Sequence, residues 1–366
     1  MKGTIVVTGG SGFIGTHLID LLQENDDLEI VNLDIVPPRK KAHLRYWINC
    51  DIMRASELNR IFKDVRPRFV AHLAARTDME GKTVDDYKLN SQGTQRVIGA
   101  IHEAGTVERS LFVSTQFVVG PGPLPAHDQD FRPHTIYGES KVLAEKAVRN
   151  GCLECVWTIV RPTNVWGSLH PRYPREFWRV MARGLYLHPG SKAVIRSYGY
   201  VGNVVDQIVG ILAKPAESVD RKIFYVGDPP LVLLTWVNAF SLELTGRPAR
   251  VIPQAALHAL ALVGDGLTKL GVKFPIYSSR LGSMTQDYPT PMEPTYALLG
   301  PPKTSLADGV KETVEWLRTA SGHREFSGSR RRAHKTPSVG HAEQLGPSDR
   351  PASLLAEKGT PCPSGE

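Results

Sequence analysis

Across the first 165 residues, short β-branched runs alternate with stretches whose apolar residues recur at helical spacing. "GTIVVTGG", "EIVNLD", "PRFVAHLAA", "RSLFVST" and "CVWTIVRP" read as strands. Between them, "HLIDLLQEN", "SELNRIFKDV", "NSQGTQRVIGAIHEAG" and "ESKVLAEKAVRNG" read as helices. Strand and helix in alternation call for a parallel sheet with helices on both faces.

With right-handed crossovers the expected class is α/β, a Rossmann-type doubly wound parallel sheet over residues 1–165. After Pro162 the rhythm loosens, and Pro and Gly punctuate shorter, mixed elements. Residues 166–320 are read as a smaller mixed α/β lobe on the sheet's carboxyl edge, with some segments returning to the sheet. "SLADGVKETVEWLRTA" is its last clear helix, with Ser305 as N-cap. "AALHALALVGDGLTKLG" is interrupted by His258, Asp265 and Lys269, so it reads as a buried amphipathic helix and not a membrane span. Residues 321–366, rich in Ser, Pro, Gly and Arg without apolar periodicity, are expected to be disordered.

Composition changes this picture little. Hydrophobic residues at 41% and charged residues at 22% describe a chain that can bury a core. The net charge of +7 is not concentrated on one predicted element, which suits anionic small ligands and gives no ground for nucleic-acid binding. Four Cys are too few for a disulfide framework, and Cys152-x-x-Cys155 leads into an apolar strand without a second pair. We read those cysteines as structural and expect no metal site. The chain opens directly into a strand and a glycine turn, so no signal sequence, no membrane partner and a cytoplasmic location are expected.

Candidate chemistry begins at "TIVVTGGSGFIGTHLIDLL", which sets Gly9, Gly12 and Gly15 between a strand and a helix. Missing Cβ atoms let such a turn close and let its backbone approach a pyrophosphate at the helix N-terminus. "EIVNLD" then ends in Asp34, where a carboxylate accepts hydrogen bonds from ribose hydroxyls and repels a 2′-phosphate. The expected cofactor is NAD. Arg39, Lys40 and Lys41 follow closely and keep NADP as the alternative. Further on, Tyr137 and Lys141 fall one helical turn apart in "YGESK", a spacing that can serve acid–base chemistry.

The G-x-x-G-x-x-G spacing resembles the short-chain dehydrogenase/reductase superfamily, and "TGGSGFIG" resembles its extended branch, the NAD-dependent epimerase/dehydratase family. Similar segments recur in order over roughly residues 3–320. The resemblance assigns Gly9, Gly12, Phe13, Ile14, Gly15 and Asp34 to the cofactor, with Asp51 and Ile52 of "NCDIMR" beside adenine. It adds Leu73, Ala74 and Ala75 of "HLAA", Asn90 of "YKLNSQGT", Ser114 of "FVSTQFVVG" and Pro162 of "RPTNVWG".

By the same resemblance, Thr115, Tyr137 and Lys141 are the catalytic set, and Tyr137 and Lys141 also face the cofactor. A free phenol titrates near ~10, so a nearby ammonium and the nicotinamide charge are expected to lower it. Tyr137 then takes a hydroxyl proton as hydride leaves the same carbon, Thr115 holds that oxygen, and Lys141 also binds the nicotinamide ribose. The implied substrate is a nucleotide sugar, with Asn164, Arg196 of "VIRSYGYVGNVVDQIV" and Arg280 of "SSRLGSM" on its phosphates. A homodimer is implied by analogy alone.

The family's reactions diverge after the first oxidation. Its 4,6-dehydratases carry an Asp-Glu pair after the catalytic Thr, its decarboxylating members a Glu at the second position, and its 3,5-epimerases a Cys. Here Gln116 and Phe117 stand there, and neither exchanges protons at neutral pH. The expectation is therefore an NAD-dependent epimerase acting through a transient keto intermediate. A dehydrogenase or ketoreductase on sugar nucleotides is the alternative, and a non-catalytic cofactor-binding protein the third reading.

Overall fold

The computed structural model describes residues 1–190, 192–269 and 278–319. The tail read as disordered, 321–366, lies outside them. The first half runs β1 (Gly3–Thr8), α1 (Phe13–Leu22), β2 (Leu28–Asp34), β3 (Trp47–Asn49), α2 (Ala55–Val65), β4 (Phe69–His72), α3 (Thr94–Ala104), β5 (Arg109–Val113), α4 (Ile136–Arg149) and β6 (Val156–Pro162). Beyond it come β7 (Asn164–Trp166), α5 (Arg179–Ala182), β8 (Leu187–Pro189), β9 (Ile195–Arg196), β10 (Tyr198–Tyr200), α6 (Val201–Ala213), α7 (Ala216–Val219) and β11 (Lys222–Val226). The remaining elements are β12 (Leu231–Val232), α8 (Leu233–Thr245), β13 (Arg250–Ile252), α9 (Gln254–Lys269), α10 (Ser278–Thr285), α11 (Glu293–Leu299) and α12 (Leu306–Thr319).

Seven parallel strands make the main sheet in the order β11-β6-β5-β4-β1-β2-β3. The order reverses between β1 and β4, which opens a crevice at their carboxyl ends. The sheet is the doubly wound one read from the pattern. Two of its strands were not: β3 is a three-residue edge, and β11 returns from the later part of the chain.

Side chains alternate across the sheet with period 2. Ile5 and Val7 join Leu18, Ile19 and Leu22 of α1 and Ile208 and Ile211 of α6 on one face. Val6 joins Leu58 and Phe62 of α2 and Val97 and Ile101 of α3 on the other. After Pro162 three two-stranded pairs form, β7 with β10, β9 with β12 and β8 with β13. Asp308 N donates to Ser305 Oγ at 3.2 Å, the cap expected ahead of α12.

One expectation is corrected. α9 buries Leu257 and Ala261 but leaves Leu262 at 69% and Val263 at 56% exposure. Among the described residues it packs against α10 and the small β8–β13 pair, which leave much of its apolar surface uncovered. Among the described residues, no helix is long and apolar enough to cross a membrane.

His72, at the end of β4, bridges two buried hydroxyls. Thr94 gives its proton to Asn90 O, so His72 Nε2–H donates to Thr94 Oγ1 at 3.0 Å. Nδ1 is then the acceptor for Thr8 Oγ1 at 2.7 Å. Complete burial and the Lys141 cation hold this imidazole neutral and push its pKa down to about 3. The folded state therefore binds fewer protons than the unfolded chain from pH 6.5 down to about 3, and stability falls as pH falls. At pH 5 this group alone removes about 2 kcal/mol relative to neutrality. Urea unfolding at pH 7 and pH 5 checks it: His72→Gln should lose about 2 kcal/mol less on acidification than the parent.

Candidate active site

The crevice at the switch point is a cavity of about 540 Å³. Its floor is the glycine turn. Gly9 has φ +76, and a Cβ there would sit 2.6 Å from Ala74 N; one on Gly15 would sit 2.4 Å from Gly9 O. Only glycine allows β1, the turn and the end of β4 to approach so closely. α1 starts with neither a side-chain cap nor an acidic residue in its first turn. Its first backbone amides thus suit a pyrophosphate, and the residues present fit a dinucleotide.

Asp34 closes one end. Its Oδ2 accepts from Ser11 N at 3.0 Å and its Oδ1 from Val36 N at 3.1 Å. These bonds fix a carboxylate on the cavity wall where ribose hydroxyls need an acceptor. Arg39, the neighbour that kept NADP open, donates from Nε to Ser11 O and from Nη1 to Leu169 O. Lys40 pairs with Asp20 at 2.7 Å. Of the three cations that keep NADP open, Arg39 and Lys40 thus have protein partners, and neither Lys40 nor Lys41 lines the cavity.

Opposite, Thr115, Tyr137 and Lys141 are all buried and line the same cavity. Thr135 caps α4 by accepting from Gly138 N at 3.0 Å. A Cβ on Gly138 would lie 2.3 Å from Phe117 O, so this glycine lets the helix dock against the segment carrying Thr115. Lys141 Nζ donates to Val113 O at 2.8 Å. Burial pushes its ammonium down to about 8, against the opposing pull of Glu145.

The lowering expected of Tyr137 counts on the nicotinamide charge as well as on Lys141. Burial pushes the phenol up to about 12, outweighing a hydrogen bond with Thr115 and the Arg172 cation, which both pull it down. The sequence reading counted nearby charge and could not count desolvation.

Gly9, Gly12, Phe13, Ile14, Gly15, Asp34, Asp51, Ile52, Leu73, Ala74, Ala75, Ser114, Pro162 and Asn164 complete the wall among the residues read from sequence. Two do not join it. Asn90 is buried behind, accepting from Arg76 N and donating to Ser140 Oγ, which itself donates to Tyr137 O. Arg196 is buried with its guanidinium 5.4 Å from the centre of the Tyr288 ring. Arg280 lies on α10, and its side chain is outside the described residues.

The sequence reading missed His170, Pro171, Arg172 and Tyr173, which line the cavity from the segment after β7. Nothing in their spacing sets them apart from an ordinary Pro-rich connection. Phe117 also lines the cavity, with its ring 6.2 Å from that of Tyr137. Gln116 is fully buried, off the cavity wall, and its amide has no hydrogen-bond partner among the described residues.

Residues 5–227 match the NAD dependent epimerase/dehydratase family. A dTDP-D-glucose 4,6-dehydratase of Mus musculus is 27% identical over 343 residues, 86% of this chain and 88% of that protein. A 3-beta-hydroxysteroid dehydrogenase of Mycolicibacterium neoaurum is 30% identical over 219 residues, 56% of this chain and 59% of that protein. The chain thus spans less than two thirds of the second relative. A UDP-glucose 4-epimerase of Thermus thermophilus, solved in complex with NAD, shares the fold with a TM-score of 0.64 at 23% identity, covering 87% of this chain and 100% of that one.

Asp34→Arg removes the ribose acceptor and sets a cation in its place. Titration of NADH and NADPH fluorescence should show the ratio of their dissociation constants moving toward NADPH by about tenfold or more. An unchanged ratio would remove Asp34 from cofactor choice.

Proposed function

We propose that this chain, which belongs to the NAD dependent epimerase/dehydratase family, is a nucleotide-sugar epimerase acting through a transient keto intermediate. The glycine turn and Asp34 would hold NAD, which would supply the hydride acceptor and donor and a positive charge beside the phenol. Tyr137 takes the hydroxyl proton and later gives it back to the same oxygen. Thr115 holds that oxygen, and Lys141 keeps a cation one helical turn from the phenol. Asn164, on the cavity wall at β7, is assigned to the substrate phosphates.

One observation carries the choice among reactions. Among the described residues that line the cavity, the only carboxylates are Asp34 and Asp51, both in the part assigned to the adenosine. Eliminating water from a keto sugar needs a general acid and a general base beside the sugar. The two positions after Thr115 supply an amide off the wall and a benzyl group on it. The similarity to a dehydratase therefore extends to the fold and the first oxidation, and stops before elimination.

A second reading, a dehydrogenase that releases its ketone, draws on the hydroxysteroid dehydrogenase relative and on the aromatic walls given by Phe117 and Tyr173.

Incubation with a panel of nucleotide sugars, read by mass spectrometry and sugar analysis, separates these outcomes. Epimerisation leaves the mass unchanged and yields a new stereoisomer. A change of about two mass units means net redox, and a loss of about 18 means dehydration, either of which overturns the proposal. Tyr137→Phe should lower turnover by about a thousandfold or more, while the dissociation constant for NAD stays within a few-fold. Turnover that survives this change would take Tyr137 out of the mechanism.

A further inference from the structure

Residues 168–173 follow β7 and are tied to the nucleotide-binding half by contacts remote in sequence. His17 Nε2 donates to Ser168 O at 2.9 Å. Arg39 Nη1 donates to Leu169 O at 3.1 Å, while its Nε donates to Ser11 O, inside the glycine turn, at 3.2 Å. The His170 ring meets the edge of Phe13, the first residue of α1, with centroids 5.0 Å apart. His170 also accepts at Nδ1 from the backbone N–H groups of Arg172 and Tyr173, which stiffens the segment from within.

Leu169 has φ +64, a left-handed conformation that a leucine holds only when its surroundings enforce it. The anchors on either side are that enforcement. His170, Pro171, Arg172 and Tyr173 form one wall of the cavity, and Gly9, Gly12 and Phe13 form another. A dinucleotide filling the cavity lies between them.

We propose that His17 and Arg39 are positioning residues that clamp residues 168–173 across the glycine turn and thereby set how fast NAD leaves the protein. Arg39 also lines the cavity, but His17 does not, so His17 acts on the cofactor only through the strap. The inference rests on NAD as the cofactor and not on the epimerase reading.

The test uses the intact protein loaded with NADH and no sugar. Dissociation is followed by the loss of bound-NADH fluorescence after adding excess NAD. The parent should release NADH slowly, and His17→Leu and Arg39→Met about tenfold faster. His17→Gln, whose amide can donate to the same carbonyl, should restore slow release. Thermal unfolding of the cofactor-free variants separates this effect from general loosening: their midpoints should stay near the parent's. Equal release rates in parent and His17→Leu would overturn the clamp, as would fast release that His17→Gln leaves uncorrected. Should His17→Leu fail to fold, His17→Phe, which keeps an aromatic ring of similar size but cannot donate to Ser168 O, takes its place, with fast release expected and parent-like release overturning the clamp. Because no sugar is present, failure of the proposed reaction leaves this result untouched.

Discussion

The arrangement of the active site depends on one buried ion pair. Glu145 on α4 and Arg161 on β6 are each about 1% exposed at the side chain and meet at 2.8 Å. Glu145 also accepts from Ser114 Oγ at 2.6 Å, at the end of β5. Arg161 reaches Tyr225 OH on β11 and the carbonyl of Asp128 in the connection before α4. A single interaction thus fastens α4 to the ends of three strands. Deleting either partner would strand a charge in the interior, at about 3–5 kcal/mol.

Tyr137 and Lys141 inherit their positions from that fastening. They lie one and two turns before Glu145 on the same helix, so fixing Glu145 fixes where their side chains emerge. Gly138 then sets the depth, because a side chain there would meet Phe117 O. Asn90 adds a second hold, linking the segment after β4 to α4 through Ser140. Catalytic geometry in this chain is therefore built by residues that do not themselves face the cavity.

This explains how far the site could be read from sequence. The glycine turn and Asp34 are local: strand, turn and helix are contiguous, and the steric requirement acts within them. Tyr137 and Lys141 are local as well. Asn90 and Arg196 were also picked from local segments, but whether their side chains reach the cavity depends on tertiary packing, and they do not line it. The strap at 168–173 is legible only once Ser168 and Leu169 are seen against His17 and Arg39, 151 and 130 residues away. β3 and β11 escaped for a related reason, being short strands whose existence depends on a neighbouring edge to pair with. The phenol's raised pKa was unreadable because burial is a property of the whole fold.

The two positions after Thr115 carry no acid, and the fold holds both firmly. Phe117 is packed among His134, Tyr137 and Tyr288, with ring centroids between 5.3 and 6.2 Å. Tyr288 OH donates to Gln116 O, pinning the turn from the other side. The segment after Thr115 is thus a firmly packed, aromatic surface beside Tyr137, and it carries no carboxylate. In the proposed reaction, proton exchange beside the sugar then falls to Tyr137, with Thr115 and Lys141 on the same wall. This is the ground on which the proposed reaction returns hydride and proton and does not go on to elimination.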